Sequence, residues 1–353
     1  MNKERMKIFC GKTSMKLVEI MERIDANANG VLFIVDDKER LIGAISDGDI
    51  RRQLIRTGNL NADITEFMNK TPKFLYAADK PNALSFMKKK KIHAVPIVDE
   101  QKKLLDVILD NDDIGFVKKD VLSHVPVIIM AGGKGTRLYP YTKILPKPLI
   151  PIGDIPILER IINCFCDYGV SEYYVTVNYK KNMIKAHFAE LKPDYYIEYV
   201  EENKPLGTGG SIKLIKKKFI HPVIITNCDT LINADYEDIY RHHVESGNKM
   251  TMVSALKNME VPYGVVHSTE NGVITRVEEK PRLSYFINTG MYIVDADMLE
   301  KIPEDTFFHM TDLANVLMNE GLQVGMYPIS EESFLDMGEI EEMRRMEEKL
   351  NVR

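Results

Sequence analysis

Tryptophan is missing from this chain of 353 residues, and cysteine appears only four times, at Cys10, Cys164, Cys166 and Cys228. The first absence excludes no class of function. The second does: no Cys-x-x-Cys pair occurs, and Cys164-Phe165-Cys166 is too tight for the usual spacing of zinc ligands. The four read as reduced core or surface residues of a cytoplasmic protein. Long apolar runs are also lacking. None approaches the roughly 18 residues needed to span a bilayer, and the N-terminal MNKERMKIF has no signal-peptide apolar region. No membrane partner is expected. Basic charge is not in surplus either: 47 Lys and Arg against 52 Asp and Glu leave a net charge of −5 at pH 7. That balance argues against nucleic acid as a partner. What is left is an ordinary globular composition, long enough for two or three domains with a full core.

The most informative stretch is Val127 to Pro148, VIIMAGGKGTRLYPYTKILPKP. Its apolar start, Val127 to Met130, predicts a buried strand of a parallel sheet. The strand runs into Gly132-Gly133-Lys134-Gly135-Thr136-Arg137. Glycines there let backbone N–H groups turn toward one point, which makes an anion site at a strand's carboxyl end. Arg137 adds a forked cation, and Lys147 a point charge after a Pro-rich turn. The stretch reads as a loop that holds a triphosphate. It is not a Walker loop, because Gly135 follows Lys134 where Ser or Thr is required. It is not a dinucleotide fingerprint, because Leu138 stands where the third Gly belongs.

The stretch resembles the signature of sugar-phosphate nucleotidyltransferases, Gly-Gly-x-Gly-Thr-Arg-Leu followed by Pro-Lys-Pro. The resemblance runs from about Val125 to the C-terminus. It implies that Gly132, Gly133, Gly135 and Thr136 bind nucleotide and that Arg137 and Lys147 are catalytic. A second motif, Glu201-Glu202-Asn-Lys-Pro205-Leu-Gly207-Thr208-Gly209-Gly210, follows a strand at Tyr196–Tyr199. In the resembled family the Leu-Gly-Thr-Gly segment meets the base, here through Gly207 and Thr208. Guanine offers two donors on one edge, N1–H and an amino group, which a carboxylate suits. Glu202 is the candidate, and GTP the expected triphosphate.

Strand Val223–Thr226 ends in Asn227-Cys228-Asp229, and Phe334-Leu335-Asp336-Met337-Gly338 supplies a second strand-end carboxylate. A carboxylate facing a triphosphate from a strand's carboxyl end is a natural Mg2+ ligand. The two match the family's Gly-Asp and late Asp-x-Gly, with Cys228 in place of the Gly. The resemblance therefore implies Mg2+ on Asp229 and Asp336. Three further motifs resemble the family's acceptor pocket: Tyr263-Gly264-Val265, Glu279-Lys280-Pro281 and Asn288-Thr289-Gly290-Met291-Tyr292. They imply Gly264 and Glu279 on the sugar, Lys280 on its phosphate, and Asn288 or Thr289 polar to the sugar.

Residues up to about Asp120 carry an internal repeat. Phe33 to Leu41 matches Pro96 to Leu104, and Asp47 and Asp49 match Asp110 and Asp112, always 63 residues apart. Two copies of one small unit are expected to bury a shared core. Each reads as helix (Ser14–Ile24 in the first), strand, turn, strand, then a helix starting at Ser46-Asp47; Pro81 opens the second copy's helix. The pattern resembles a pair of CBS domains, which in many proteins sense adenine nucleotides. In Gly43-Ala-Ile-Ser46-Asp-Gly-Asp49 the Ser would cap a helix near a phosphate and the Asp would hold ribose hydroxyls. In the second copy Asp106 and Leu109 replace Gly43 and Ser46, and only Asp112 persists. An adenine or guanine nucleotide effector at Ser46 and Asp49, or an assembly role in a homo-oligomer, is expected.

From Val125 strands and helices alternate: Val127–Met130, Ile157–Gly169, Tyr173–Val177, Lys181–Leu191, Tyr196–Tyr199, Ser211–Lys217, Val223–Thr226. That order predicts an α/β fold. The expected architecture is a mainly parallel, Rossmann-like nucleotidyltransferase sheet (residues 122–353) after an N-terminal α+β CBS pair (residues 1–121). The expected reaction joins a nucleoside triphosphate to a sugar 1-phosphate and releases pyrophosphate. GTP with glucosamine 1-phosphate or a related hexose 1-phosphate is favoured, for surface-glycan precursors. Other readings are UTP, CTP or dTTP as donor, a CBS-regulated subunit without catalysis, and glycosyl transfer. The last usually employs Asp-x-Asp, and Asn227 stands two residues before Asp229.

Overall fold

The computed structural model describes residues 8–27, 29–90, 92–109 and 120–350. Met1–Lys7, Asp110 and Asp112, all used in the sequence reading, lie outside them. The chain divides into two compact units, Met1–Val117 and Lys118–Arg353.

In the first unit the repeat is carried down to backbone detail. Strands β1 (Cys10–Lys12), β2 (Val31–Val35) and β3 (Leu41–Ser46) form one sheet. Strands β4 (Leu75–Tyr76), β5 (Ala94–Val98) and β6 (Leu104–Leu109) form a second. The bounds of β5 and β6 are those of β2 and β3 moved by the repeat distance. Both hairpins turn through a residue with positive φ, Glu39 at 61° and Lys102 at 62°. Both close on the same bond, Asp36 N–H to Arg40 C=O and Asp99 N–H to Lys103 C=O, each 3.0 Å. The copies then exchange hydrogen bonds reciprocally: Leu41 N–H donates to Lys102, and Leu104 N–H to Glu39. Their shared core joins Phe33, Val35 and Leu41 to Val98, Leu104 and Val107. The first helix spans Leu17–Asn27, three residues later than expected. The next, Asp47–Thr57, starts under a capping box made by Ser46 and Asp49 and ends on Gly58 in the left-handed region. In the second copy Pro81 lies in a 3-10 turn, Ala77–Asn82, and the helix is Ala83–Lys90.

The second unit is built on a seven-stranded sheet. Its strands are β7 (Val127–Ala131), β10 (Glu172–Val177), β11 (Tyr196–Glu201), β12 (Val223–Asn227), β14 (Met250–Glu260), β17 (Arg282–Val294) and β18 (Val324–Ile329). Their order is β11-β10-β7-β12-β17-β14-β18. All neighbours pair in parallel except β12–β17 and β17–β14, so β17 alone runs against the rest. Small pairs complete the unit: β8 (Pro151–Ile152) with β9 (Ile155–Pro156), β13 (Thr230–Ile232) with β19 (Phe334–Asp336), and β15 (Val265–Ser268) with β16 (Ile274–Glu278).

Alternate residues of one strand feed two cores, as a pleat requires. Val127, Ile129 and Ala131 join the helices Ile157–Cys166, Lys181–Leu191 and Tyr236–Ser246 on one face; Ile128 and Met130 join the helix Met310–Asn319 on the other. That double burial explains the unbroken apolar run of β7. Helix Ile157–Cys166 buries Ile157, Leu158, Ile161, Ile162 and Phe165, one face at helical spacing. Each such side chain contributes roughly 1.5–3 kcal/mol of burial. From β7 the chain steps outward to β10 and β11, then returns to the other side of β7 as β12. The carboxyl ends of β7 and β12 therefore flank a topological switch point, where such sheets open a crevice.

Candidate active site

The crevice is there. A cavity of about 450 Å³ is lined by Gly132, Gly133, Gly135, Thr136, Arg137 and Lys147 from the glycine bend, by Glu202, Gly207 and Thr208, and by Asp229. Gly135 holds φ 64° and opens a 3-10 turn, Thr136–Leu138. A Cβ on it would stand 2.9 Å from the Thr142 methyl and 3.0 Å from Lys147 Cβ, so only glycine lets the bend close on Lys147. The Thr142 hydroxyl ties the bend by donating to the Gly135 carbonyl at 3.0 Å.

Glu202 is buried, unlike its exposed neighbour Glu201. It lies two residues beyond Val200, on the strand face that enters the core. Its carboxylate fills the space that a Cβ on Gly132 would need. Burial pushes its pKa above the usual Glu range, while the Leu206 N–H and the Ser211 and Thr176 hydroxyls pull the other way.

The Leu206–Gly210 turn is clamped by a segment a hundred residues away. Phe308 N–H donates to Leu206 C=O at 2.9 Å, and its carbonyl accepts from Gly209 and Gly210 N–H at 2.8 and 3.0 Å. The Thr208 hydroxyl accepts from Met310 N–H at 3.1 Å and lies 3.4 Å from His309 Nδ1. Side chains at Gly207 or Gly210 would run into Phe308 and Thr306 carbonyls.

Asp229 and Asp336 come together through the β13–β19 pair. Thr230 is opposite Asp336 in the register, and Met337 N–H donates to Asp229 C=O at 2.8 Å. Burial, then the charge of Asp229, raises the Asp336 pKa; Lys147 and Arg137 lower it. Lys147 forms an ion pair with Asp229 and is itself buried. Two carboxylates facing each other inside a half-buried cleft, with one ammonium on Asp229, favour a further cation. Their hard oxygens suit Mg2+. Among the described residues no group of three or more His, Cys, Asp or Glu forms a metal site, so substrate oxygens and water would complete the coordination. Burial lifts the Cys228 thiol to about 12, which keeps it protonated beside Asp229.

A second cavity, about 410 Å³, shares Arg137, Thr208, Asn227 and Asp229 with the first and adds Asn288, Thr289 and Asp336. Gly290 has φ 81°, and a Cβ there would overlap the Asn227 amide. Asn288 donates to the Tyr292 hydroxyl at 2.7 Å and accepts from Gly290 N–H at 3.0 Å.

The first unit has a cleft of its own, about 390 Å³, reaching Ser46, Asp49, Thr71, Lys73 and His93. The Asp49 carboxylate accepts from Ser46 N–H at 2.9 Å, Ser46 Oγ at 2.6 Å and Arg52 at 2.6 Å. In the other copy Asp106, standing at the repeat position of Gly43, is paired with Lys80 at 2.7 Å. A carboxylate and its counter-ion occupy the place where a bare glycine would let a ligand approach.

A family model described as nucleotidyl transferase matches residues 126–352. The chain belongs to the nucleotidyl transferase family. A CBS domain model matches residues 8–56. Mannose-1-phosphate guanyltransferase of Debaryomyces hansenii is 32% identical over 184 residues, 50% of this chain and 51% of that protein. Mannose-1-phosphate guanyltransferase beta-A of Xenopus laevis is 33% identical over 183 residues, 50% and 51% of the two chains. The chain spans about half the length of these curated relatives. The crystal structure of HddC from Yersinia pseudotuberculosis covers 64% of this chain and 99% of its own, with a TM-score of 0.50 and 26% identity. The fold expected from sequence, α/β with an N-terminal CBS region, agrees with these matches.

Of the residues expected at a nucleotidyl transferase site, the glycine bend, Arg137, Lys147, Glu202, Gly207, Thr208, Asp229, Asp336, Asn288 and Thr289 line the two joined cavities. Thr289 turns its hydroxyl inward, onto the Val253 carbonyl at 2.8 Å. Gly264, Glu279 and Lys280 line neither cavity. They cluster at the β15–β16 hairpin, where a Cβ on Gly264 would be 3.0 Å from Glu279 Oε2 and Lys280 holds φ 45°. Thr176, Phe307 and His309 line the first cavity without having been anticipated. Phe307-Phe308-His309 carries no sequence signature, and only the clamp on Leu206–Gly210 brings it there.

Proposed function

We propose that the chain is a sugar-1-phosphate guanylyltransferase, joining GTP to glucosamine 1-phosphate or a related hexose 1-phosphate and releasing pyrophosphate. The observation that carries this reading is the convergence of Arg137, Lys147, Asp229 and Asp336 on one crevice at the switch point of the sheet. The buried carboxylate of Glu202, beside Gly207 and Thr208, supports guanine: it accepts from N1–H and the amino group together. The names of the guanyltransferase relatives support the same base and a hexose 1-phosphate acceptor.

The acceptor phosphate is an anion near neutral pH, so no general base is required. The obstacle is charge, because a dianion must approach a phosphorus ringed by negative oxygens. Catalysis is then positioning and neutralisation. The glycine bend donates N–H groups to the triphosphate. Arg137 takes the departing β- and γ-phosphates, and Lys147, held beside Asp229, takes the α-phosphate. Asp229 and Asp336 would hold Mg2+, which would supply positive charge to the phosphate oxygens. Lys280 receives the acceptor phosphate and Glu279 the sugar hydroxyls. The CBS unit takes a purine nucleotide at Ser46 and Asp49 as an effector.

The test is a matrix of GTP, UTP, CTP, dTTP and ATP against hexose and hexosamine 1-phosphates, read as pyrophosphate release. GTP with one hexose 1-phosphate should dominate. Release with a pyrimidine triphosphate alone would overturn the base assignment, and consumption of a sugar nucleotide without pyrophosphate would overturn the reaction.

A further inference from the structure

Phe307 is 59% exposed. Its neighbour Phe308 packs against the core beside helix Met310–Asn319 and carries the backbone bonds of the clamp. Phe307 and His309 both line the first cavity, which also contains Glu202, Pro205 and Gly207. The His309 ring stands nearly perpendicular to Phe307, centroids 4.8 Å apart at 84°, so at most one ring face of Phe307 is met by it. A large apolar ring that lines a cavity, one residue before the three main-chain hydrogen bonds of Phe308, is costly to leave in water and gains by being covered. Every nucleobase has a π-face, and a purine covers more of the ring than a pyrimidine.

We propose that Phe307 is the platform on which the nucleotide base stacks, and that it biases the site toward purines. The inference rests on the reading of Glu202, Gly207 and Thr208 as the base-reading edge. That edge fixes where the base ends; Phe307 adds the face it lies on. The triphosphate, gathered by the glycine bend, does not need it.

The test is direct binding to the full chain. Phe307→Ala should weaken GTP on the order of ten-fold, weaken UTP less, and leave inorganic tripolyphosphate unchanged. Equal loss for tripolyphosphate would make Phe307 a structural residue and overturn the proposal, as would GTP binding equal to the parent. Because the chain has no tryptophan, Phe307→Trp gives a single indole, excited apart from the tyrosines, whose emission should be quenched by GTP but not by tripolyphosphate. GTP bound without a change in emission would sink the platform. Failure of the parent chain to bind any nucleoside triphosphate would instead sink the base-reading edge, which separates the two ideas.

Discussion

The proposed guanine-reading role asks Glu202 to satisfy two opposed demands. Burial favours its protonated form, yet accepting from two guanine donors requires the carboxylate. Its pKa in the folded chain lies above that of the unfolded chain, so the folded state binds the proton more readily. The stability it contributes is present at low pH and lost as pH rises through the raised pKa. At neutral pH the ionised group therefore strains the empty fold, and a bound guanine offsets that strain. Glu202→Gln should melt higher than the parent at pH 7 while binding GTP roughly 10- to 100-fold more weakly, the scale of a lost charge-assisted hydrogen bond. Calorimetry of both properties checks it; a variant that melts lower and binds normally would contradict the account. In the parent, GTP affinity should fall on acidification before the pH at which an exposed glutamate titrates. Arg137 poses a simpler case, being exposed at the junction of the two cavities. Arg137→Ala should lower the rate on the order of 100-fold, by the logic of lost charge-stabilising donors, and near-parental pyrophosphate release would remove Arg137 from the mechanism. Residues of this kind were legible in sequence because glycines and charges mark their own chemistry. The burial of Glu202 was not, since Glu201, Asn203 and Lys204 surround it with surface residues; only the strand pleat turns it inward. Thr176 and His309 were invisible for the same reason, since an ordinary residue becomes part of a site only by what folds next to it.

Among elements, the Leu206–Gly210 turn, proposed to meet the base, depends on a partner segment for its shape. It has no side chains to anchor it over Gly207, Gly209 and Gly210, so its stability is borrowed from Phe308. Gly207→Ala tests that dependence. The residue has φ 77°, and an added Cβ would meet the Phe308 carbonyl at 2.6 Å. The variant should lose about 1–3 kcal/mol of stability in a urea titration and should weaken GTP and UTP alike, because the turn moves rather than one contact. A fully stable Gly207→Ala would mean that the clamp is looser than its hydrogen bonds imply. Elements with a strong pattern were readable beforehand: the helix Lys181–Leu191 falls where periodicity put it. Ser211–Lys217 did not become a helix. A 3-10 turn ends at Leu214, and Ile215 is already extended, since Lys216, Lys217 and Lys218 offer no apolar stripe to bury. The reversal of β17 was likewise hidden, because a strand's direction is decided by which neighbours it meets and not by its own residues.

For the whole molecule, the sequence repeat predicted a two-copy unit and the motif order a second unit after it; the chain divides into compact units Met1–Val117 and Lys118–Arg353. What a repeat cannot reveal is which copy keeps an open ligand cleft. The Asp106–Lys80 pair fills that place on one side, so the proposed effector is assigned to the cleft at Ser46 and Asp49. The argument for a nucleotide there is one of competition. Asp49 now gives its oxygens to Ser46 and Arg52, and Arg52 is an exposed side chain on the next turn of the same helix, free energetically to exchange Asp49 for water or phosphate because surface ion pairs are worth about 0–1 kcal/mol. A ribose could therefore displace Arg52 at small cost and leave the capping bond with Ser46 intact. AMP, ATP or GMP added to the full chain should change the rate of pyrophosphate release and raise the melting temperature. Asp49→Ala should abolish both responses while the basal rate stays parental, at the cost of about 1 kcal/mol of helix capping. If none of the three nucleotides alters rate or melting of the parent, the N-terminal unit has an assembly role and sedimentation of the full chain, not effector titration, is the measurement that reveals it.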